Sequence, residues 1–165
     1  MCGSLYADTA FEILSNDLGN PSVDKILSCL FLVLHYDAIS KFSRSFFLIS
    51  LSNKYAYLLR MSVMDASKYK RSKSRQDWIS FEYKRRVWWF LYIRNVIIGL
   101  NYGTIIKISS NDMAVNFPSN DYYFQNYNSD PSLKNYELTD CTKAINENKR
   151  DKRDEAYVLE IIIHI

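Results

Sequence analysis

The stretch Glu82–Leu100 constrains the fold of this chain more than any other part of its sequence. It begins with charged residues and then becomes almost wholly apolar, so that between Val87 and Ile98 only Arg94 and Asn95 are polar. A helix that is apolar on nearly all sides belongs inside a domain and not on its surface. We therefore predict a buried central helix with other helices packed around it.

Composition supports a helical fold of one ordinary domain. The chain has 165 residues, 48% of them hydrophobic, which is enough to bury a sizeable core. Only four glycines and three prolines occur, too few for the many turns of a β-sandwich or barrel. The predicted class is mainly α: a multi-helix bundle with a buried central helix and an irregular, polar C-terminal third.

Three earlier helices are predicted from apolar residues at helical spacing. The first carries Phe11, Ile13, Leu14 and Leu18 and ends near Gly19. The second follows the N-cap residue Ser22 and is expected to be mostly buried. The third contains Phe46–Leu51, which composition alone would also allow as a strand, although the flanking periodicity favours helix. The predicted bounds of the second and third helices are approximately Val23–Tyr36 and Ala38–Val63.

No residue pattern in the chain predicts catalysis or metal binding. The two histidines lack acidic or cysteine partners at ligand or triad spacing, and no phosphate-binding loop or nucleophile motif occurs. The three cysteines are widely spaced, which excludes a disulfide framework and a zinc site within this sequence. We predict that the chain is not an enzyme, that Cys29 is a small buried hydrophobe, and that His35 lies at a helix end or core edge.

A basic segment precedes the predicted central helix and allows two interpretations. It could bind phosphate or act as a nuclear import signal, but a charge run of this kind more often forms a solvated loop, which we favour. The net charge of +3 does not by itself imply nucleic-acid binding. Ser74 has the spacing of a helix cap, so the central helix is predicted to start near Arg75. The candidate basic patch is Lys68, Lys70, Arg71, Lys73 and Arg75.

The start of the central stretch resembles the E-x-x-R-R-x-W-W-x-L-Y signature of the fungal-specific transcription factor domain, the middle homology region of fungal zinc-cluster regulators. In that family a glycine turn follows, then an aspartate and a proline in an extended segment. The resemblance covers about residues 22–125, after an N-terminal segment 1–21 and before a polar connection and tail at 126–165. The matching residues are Glu82, Arg85, Arg86, Trp88, Trp89, Leu91 and Tyr92, followed by Gly103, Asp112 and Pro118.

The resemblance implies a regulatory domain that acts in the nucleus without reading DNA itself. Its expected partners are other parts of the same regulator, proteins of the transcription machinery or a small effector, with DNA only indirectly involved and no membrane. Zinc is implied only for the cysteine-rich DNA-binding region of the family, which is not in this sequence, and no cofactor is expected here. The chain is accordingly expected to be a partial regulator whose apolar tail, Val158–Ile163, promotes self-association.

One departure from the family pattern bears on the central helix. Arg94 and Asn95 stand where the family has an acidic residue followed by an arginine, so the buried ion pairing around this helix is expected to differ. Positions three and four apart are neighbours on a helix, which places Glu82 within reach of Arg85 and Arg86. We interpret these side chains and the paired tryptophans as structural, packing indole against guanidinium, and not as ligand contacts.

Two other functions remain open at the level of sequence. The chain could be a stand-alone helical interaction module, or it could bind nucleic acid directly through residues 68–75 together with Arg85 and Arg86. Direct binding to nucleic acid would weaken steeply as salt is raised.

The central-helix assignment predicts large losses of stability on truncating either tryptophan. Trp88→Ala and Trp89→Ala should each lower the free energy of unfolding by about 3–5 kcal/mol, the range for removing a buried aromatic side chain. Thermal unfolding followed by circular dichroism measures this. Melting of both variants within a degree or two of the parent would contradict the assignment.

Overall fold

The computed structural model describes residues 2–66, 75–103 and 113–119. These ranges contain four α-helices and a short 3-10 helix, and no strand. The chain is therefore mainly α, as the sequence predicts. It divides into two compact units, Met1–Met61 and Ser62–Ile165. The helices are α1 (Cys2–Ser15), α2 (Val23–Ala38), α3 (Phe42–Leu58) and α4 (Arg75–Tyr102), and the 3-10 helix is Met61–Val63.

Helices α2 and α3 of the first unit form a hairpin. The Ser22 hydroxyl accepts a hydrogen bond from the Lys25 amide at 3.2 Å, which confirms the predicted N-cap of α2. The helix ends where Ser40 adopts a positive φ of 58° and the Lys41 amide donates to the Tyr36 carbonyl at 2.8 Å. Because this turn occupies residues 39–41, α3 begins at Phe42, and the prediction that it starts near residue 38 is wrong. The prediction that α3 continues to residue 63 is also wrong, since the helix ends at Leu58 and Arg60 has a positive φ of 52°.

The hairpin buries one stripe of each helix. The buried positions of α3 recur three and four residues apart, which is the spacing of one helix face and explains why residues 46–51 are helical and not a strand. The prediction that α2 is mostly buried is correct for one face only, since Phe31 is 59% exposed and Leu34 39%. The buried residues are Ile26, Cys29, Leu30, Leu32, Val33 and Tyr36 of α2, and Ser45, Leu48, Ile49, Ser52, Tyr55 and Ala56 of α3.

Two smaller predictions for α2 can be compared with the structure. Cys29 is fully buried, and burial raises the pKa of its thiol, so it behaves as the small hydrophobe that the sequence predicts. His35 lies half-buried in the last turn of α2, with its ring 5.5 Å from that of Tyr36. This is the helix-end position expected for it.

Polar and aromatic contacts of Arg44 join α1 to the hairpin; we call Asp8, Phe11, Tyr36 and Arg44 the clasp. The Arg44 guanidinium donates to Asp8 at 2.5 Å and to the Tyr36 hydroxyl at 3.1 Å, and it lies about 5 Å above the rings of Phe11 and Tyr36. The hydrogen bond from Arg44 lowers the pKa of the exposed Asp8 carboxyl. The clasp fixes α1 mainly through ring packing, because exposed ion pairs contribute little to stability.

Helix α1 differs from its sequence prediction in the residues that it buries. It begins at Cys2 and ends at Ser15, so Leu18 lies beyond it. Leu14 is buried, whereas the neighbouring Ile13 is 67% exposed. The four apolar residues assigned to this helix therefore do not share one buried face.

Helix α4 of the second unit is the buried helix predicted from the sequence around Glu82–Leu100. It spans 28 residues from Arg75, the expected start, and no residue from Phe81 to Gly99 is exposed. Gly99 does not stop the helix, which continues through it to Tyr102. Gly103, with a φ of 64°, follows the helix end. A glycine in this left-handed conformation after the last helical residue is a common C-terminal helix signal.

Because Gly103 has a positive φ, alanine should destabilise the protein more at Gly103 than at Gly19. Gly103→Ala should lower the free energy of unfolding by about 1–2 kcal/mol, because an L-residue with a side chain is strained in the left-handed region. Gly19→Ala is the matched control, since a Cβ added at either glycine would meet no atom within 4 Å and Gly19 has no positive φ. Equal urea midpoints for Gly103→Ala and the parent would show that this glycine is not conformationally required.

Candidate functional site

Four charged side chains form a cluster in the second unit, three of them buried and the fourth, Arg86, 26% exposed. Arg85 pairs with Asp65 through two parallel hydrogen bonds, Nε to Oδ2 and Nη2 to Oδ1, both 2.8 Å. Its Nη1 donates to Glu82 Oε2 at 3.2 Å, and Arg86 Nε donates to Glu82 Oε1, also at 3.2 Å. Side-chain exposure is at most 2% for Asp65, Glu82 and Arg85. We call these four residues the charged cluster.

The charged cluster is electrically balanced, with two guanidinium groups and two carboxylates. Burial by itself lowers the pKa of Arg85, but the hydrogen bonds and charges of Asp65 and Glu82 outweigh burial and raise it above its usual value. Arg85 is therefore held in its charged form. Because buried charges lose much of their hydration, the oxygens and N–H groups of such a cluster need hydrogen-bond partners, either in the protein or in bound water.

Residues 113–119 supply several of those partners through their main chain. The Asn116 amide donates to Asp65 Oδ2 at 2.9 Å, and the Ser119 amide donates to Glu82 Oε1 at 2.8 Å. The Ser119 carbonyl in turn accepts from Arg86 Nη2 at 2.9 Å. We call residues 113–119 the clamped segment, because both ends of the charged cluster bind it.

Two further main-chain hydrogen bonds tie the clamped segment to the turn around Ser62. The Ala114 amide donates to the Ser62 carbonyl, and the Ala114 carbonyl accepts from the Asp65 amide, both at 2.8 Å. Residues 114 and 116 thus use their main-chain polar groups, while the alternate residues Val115 and Phe117 are buried. Alternation of this kind is typical of an extended chain.

Trp89, the second tryptophan of the signature, also contacts the clamped segment. Trp89 Nε1 donates to the Asn116 carbonyl at 2.9 Å, and its ring stacks on Phe117 with centroids 4.6 Å apart and planes at 16°. Tyr92 meets Trp89 edge-on at 5.5 Å. Trp88 is also buried, but its Nε1 has no hydrogen-bond partner within the part of the chain that the structure describes.

Helical spacing explains why these side chains act together. Glu82, Arg86 and Trp89 lie at positions i, i+4 and i+7, which is one face of α4. Asn116 contacts Trp89, whereas Ser119 contacts Glu82 and Arg86. The clamped segment therefore runs along α4 toward the N-terminal end of the helix.

The structure describes most, but not all, of the candidate site residues predicted from the sequence. It places Glu82, Arg85, Arg86 and Trp89 in the cluster or against the clamped segment. Trp88 and Leu91 are buried elsewhere on α4, and Pro118 is buried within the clamped segment. Arg75 is the first residue of α4, while Asp112, Lys68, Lys70, Arg71 and Lys73 lie outside the described residues.

Sequence reasoning did not identify Asp65, Asn116 or Ser119. One signal for the first of these was available: Arg85 and Arg86 both lie within reach of a single glutamate, which indicates a second carboxylate nearby. Asn116 and Ser119 act only through main-chain atoms and leave no side-chain signal. Asn95 is buried, and its side-chain amide donates to the Leu91 carbonyl at 2.9 Å. The difference in ion pairing expected near Arg94 and Asn95 stays a prediction.

The chemistry of the site is recognition of an extended main chain. Among the described residues, no group of three or more His, Cys, Asp or Glu side chains is arranged to hold a metal ion. The carboxylates of Asp65 and Glu82 accept hydrogen bonds from arginines and from main-chain amides. What the arrangement can do is fix a strand-like segment against a helix.

Breaking one charge of the cluster should cost far more than breaking an exposed ion pair. Arg85→Met and Asp65→Asn should each lower the free energy of unfolding by about 3–5 kcal/mol. Arg85→Met leaves the buried Asp65 carboxylate without its cation, and Asp65→Asn leaves Arg85 with only the Glu82 carboxylate, which it shares with Arg86. The double variant should lose less than the sum of the two, since the lost interaction is shared. Chemical denaturation of all three variants measures this.

The control for that experiment is Asp17→Asn. Asp17 pairs with Lys25 at 2.6 Å but is exposed, and the Lys25 hydrogen bond lowers the pKa of its carboxyl. Water and salt screen this pair, so its removal should change stability much less. Equal effects at Asp17 and Asp65 would contradict the structural role of the cluster.

Comparison with known proteins agrees with the sequence signature. The family model of the fungal specific transcription factor domain matches residues 9–158, which is most of the chain. Searches of curated proteins and of solved structures found no match. No helix in the described ranges has both the length and the apolar character needed to cross a membrane. The chain belongs to the fungal specific transcription factor domain family.

Proposed function

We propose that this chain is the regulatory domain of a fungal zinc-cluster transcription factor and acts in the nucleus. It does not read DNA itself. It controls the activity of the regulator through contacts with other parts of the same protein, with proteins of the transcription machinery, or with a small effector. Zinc belongs to the DNA-binding region of such regulators and has no role in this chain.

The observation that carries the proposal is the family match over residues 9–158, whose signature forms the charged cluster. The cluster uses the signature side chains to fix the clamped segment within one unit. A domain whose most distinctive residues build its own interior supports a scaffolding and regulatory role more than a catalytic one.

The same geometry weighs against nucleic-acid binding through the signature arginines. Arg85 is 2% exposed and pairs with Asp65 and Glu82, so it is not available to a phosphate. Arg86 is 26% exposed, but its Nε and Nη2 are already used by Glu82 and the Ser119 carbonyl. The remaining basic segment, residues 68–75, would have to bind nucleic acid alone.

A reporter experiment tests the regulatory role. The chain is placed between an unrelated DNA-binding domain and an activation domain, and reporter output is compared with a fusion carrying a flexible linker of equal length. We expect output to differ from that of the linker fusion, and Arg85→Met to abolish the difference because it disrupts the second unit. Lys84→Met, which removes a charge from the same helix outside the cluster, should keep it. Equal output from the parent and linker fusions, at equal protein levels, would contradict the proposal.

A binding experiment separates this function from direct recognition of nucleic acid. We expect no change in the anisotropy of a labelled duplex DNA when the chain is added at low salt. Binding that weakens steeply with salt, and that is lost on neutralising Lys68, Lys70, Arg71 and Lys73, would instead favour the nucleic-acid alternative.

A further inference from the structure

We propose that the face of α4 that holds residues 113–119 is a peptide-binding site, and that it accepts an extended, uncharged, aromatic-containing segment of another protein in place of the clamped segment. The proposal goes beyond the regulatory function above and does not depend on it. It rests on how the clamped segment is bound, and all the residues concerned lie in the second unit.

Main-chain atoms of the clamped segment make most of its polar contacts. Asn116 is bound through its amide and its carbonyl, by Asp65 and Trp89, and Ser119 is bound through the same two groups by Glu82 and Arg86. Every extended peptide carries these groups at the same spacing, proline amides excepted. Where peptides bind in this way, main-chain hydrogen bonds provide affinity and side-chain contacts provide specificity.

The side-chain contacts define what the site would select. Phe117 stacks on the Trp89 indole at 4.6 Å, so an aromatic ring is favoured at that position. The clamped segment, Met-Ala-Val-Asn-Phe-Pro-Ser, carries no charge. This fits a site in which two arginines and two carboxylates already neutralise one another, since a charged residue would enter this buried site without a free counter-ion.

The site does not need the clamped segment in order to keep its shape. The pairs Asp65–Arg85, Glu82–Arg85 and Glu82–Arg86 are all made between residues outside residues 113–119. When the segment leaves, each carboxylate keeps an arginine partner and water can replace the lost amides. A competing peptide therefore meets a preformed site. It must overcome only the high effective concentration of the tethered segment.

Hydrogen exchange on the intact parent chain is the first test. We expect the Asn116 and Ser119 amides to exchange at least tenfold faster than the slowest amides of α4, because the segment detaches without unfolding the helix. Exchange of these two amides only at the rate of the slowest α4 amides would overturn the proposal, because the segment would then be a fixed part of the fold.

Peptide binding is the second test. A fluorescent peptide with the sequence of residues 113–119 is titrated against the parent chain and against Phe117→Ala, in which the tethered segment is weakened. We expect at least tenfold tighter binding to Phe117→Ala, and no binding of a peptide in which the phenylalanine is replaced by alanine.

Two outcomes of these titrations would overturn the proposal. One is binding of both peptides with equal affinity, which would show that the aromatic position is not read. The other is exchange of segments between two copies of the parent chain, seen as a dimer by light scattering, without binding of the free peptide. If Phe117→Ala does not fold, the exchange measurement on the parent and titration of the parent with excess peptide decide the question.

Discussion

The two-armed ion pair between Arg85 and Asp65 is the interaction on which the second unit depends. It joins α4 to the turn that precedes it by two hydrogen bonds of 2.8 Å between side chains that are 2% exposed. Paired arginine and carboxylate groups of this geometry combine charge with direction. Because buried charges are costly without partners, Glu82 and Arg86 balance this pair. The amides of Asn116 and Ser119 then take the place of water at the two carboxylates, which holds residues 113–119 against α4.

Different kinds of side chain fill the interiors of the two units. The first buries apolar stripes of α2 and α3 against each other, and its pairs Asp8–Arg44 and Asp17–Lys25 lie at the surface. In the second unit, Asp65, Glu82 and Arg85 are buried as charged groups. Apolar packing tolerates exchange of similar side chains, whereas a buried charge without its partner is strongly destabilising.

Local rules predicted much of the helical framework. Ser22 caps α2, α4 starts at Arg75, and Glu82 reaches both following arginines, because these features depend on residues at most four positions apart. Predictions that required knowing which side of a helix meets a neighbour were less accurate. Phe31, Leu34 and Ile13 are apolar but exposed, since periodicity identifies apolar positions without showing which of them another helix covers.

The sequence by itself determined the face of α4 on which Glu82, Arg86 and Trp89 lie, because the helical repeat places residues four and seven apart together. The sequence also indicated a second carboxylate, because Arg85 and Arg86 both lie within reach of the single Glu82. Only the tertiary structure decided that this carboxylate is Asp65, 20 residues before Arg85. It also decided that the amides of Asn116 and Ser119 complete the charged cluster, although they lie 51 and 37 residues from the carboxylates that accept their hydrogen bonds. Contacts at such separations arise from the path of the chain, and main-chain groups are the same in every residue, so no residue type could indicate them beforehand.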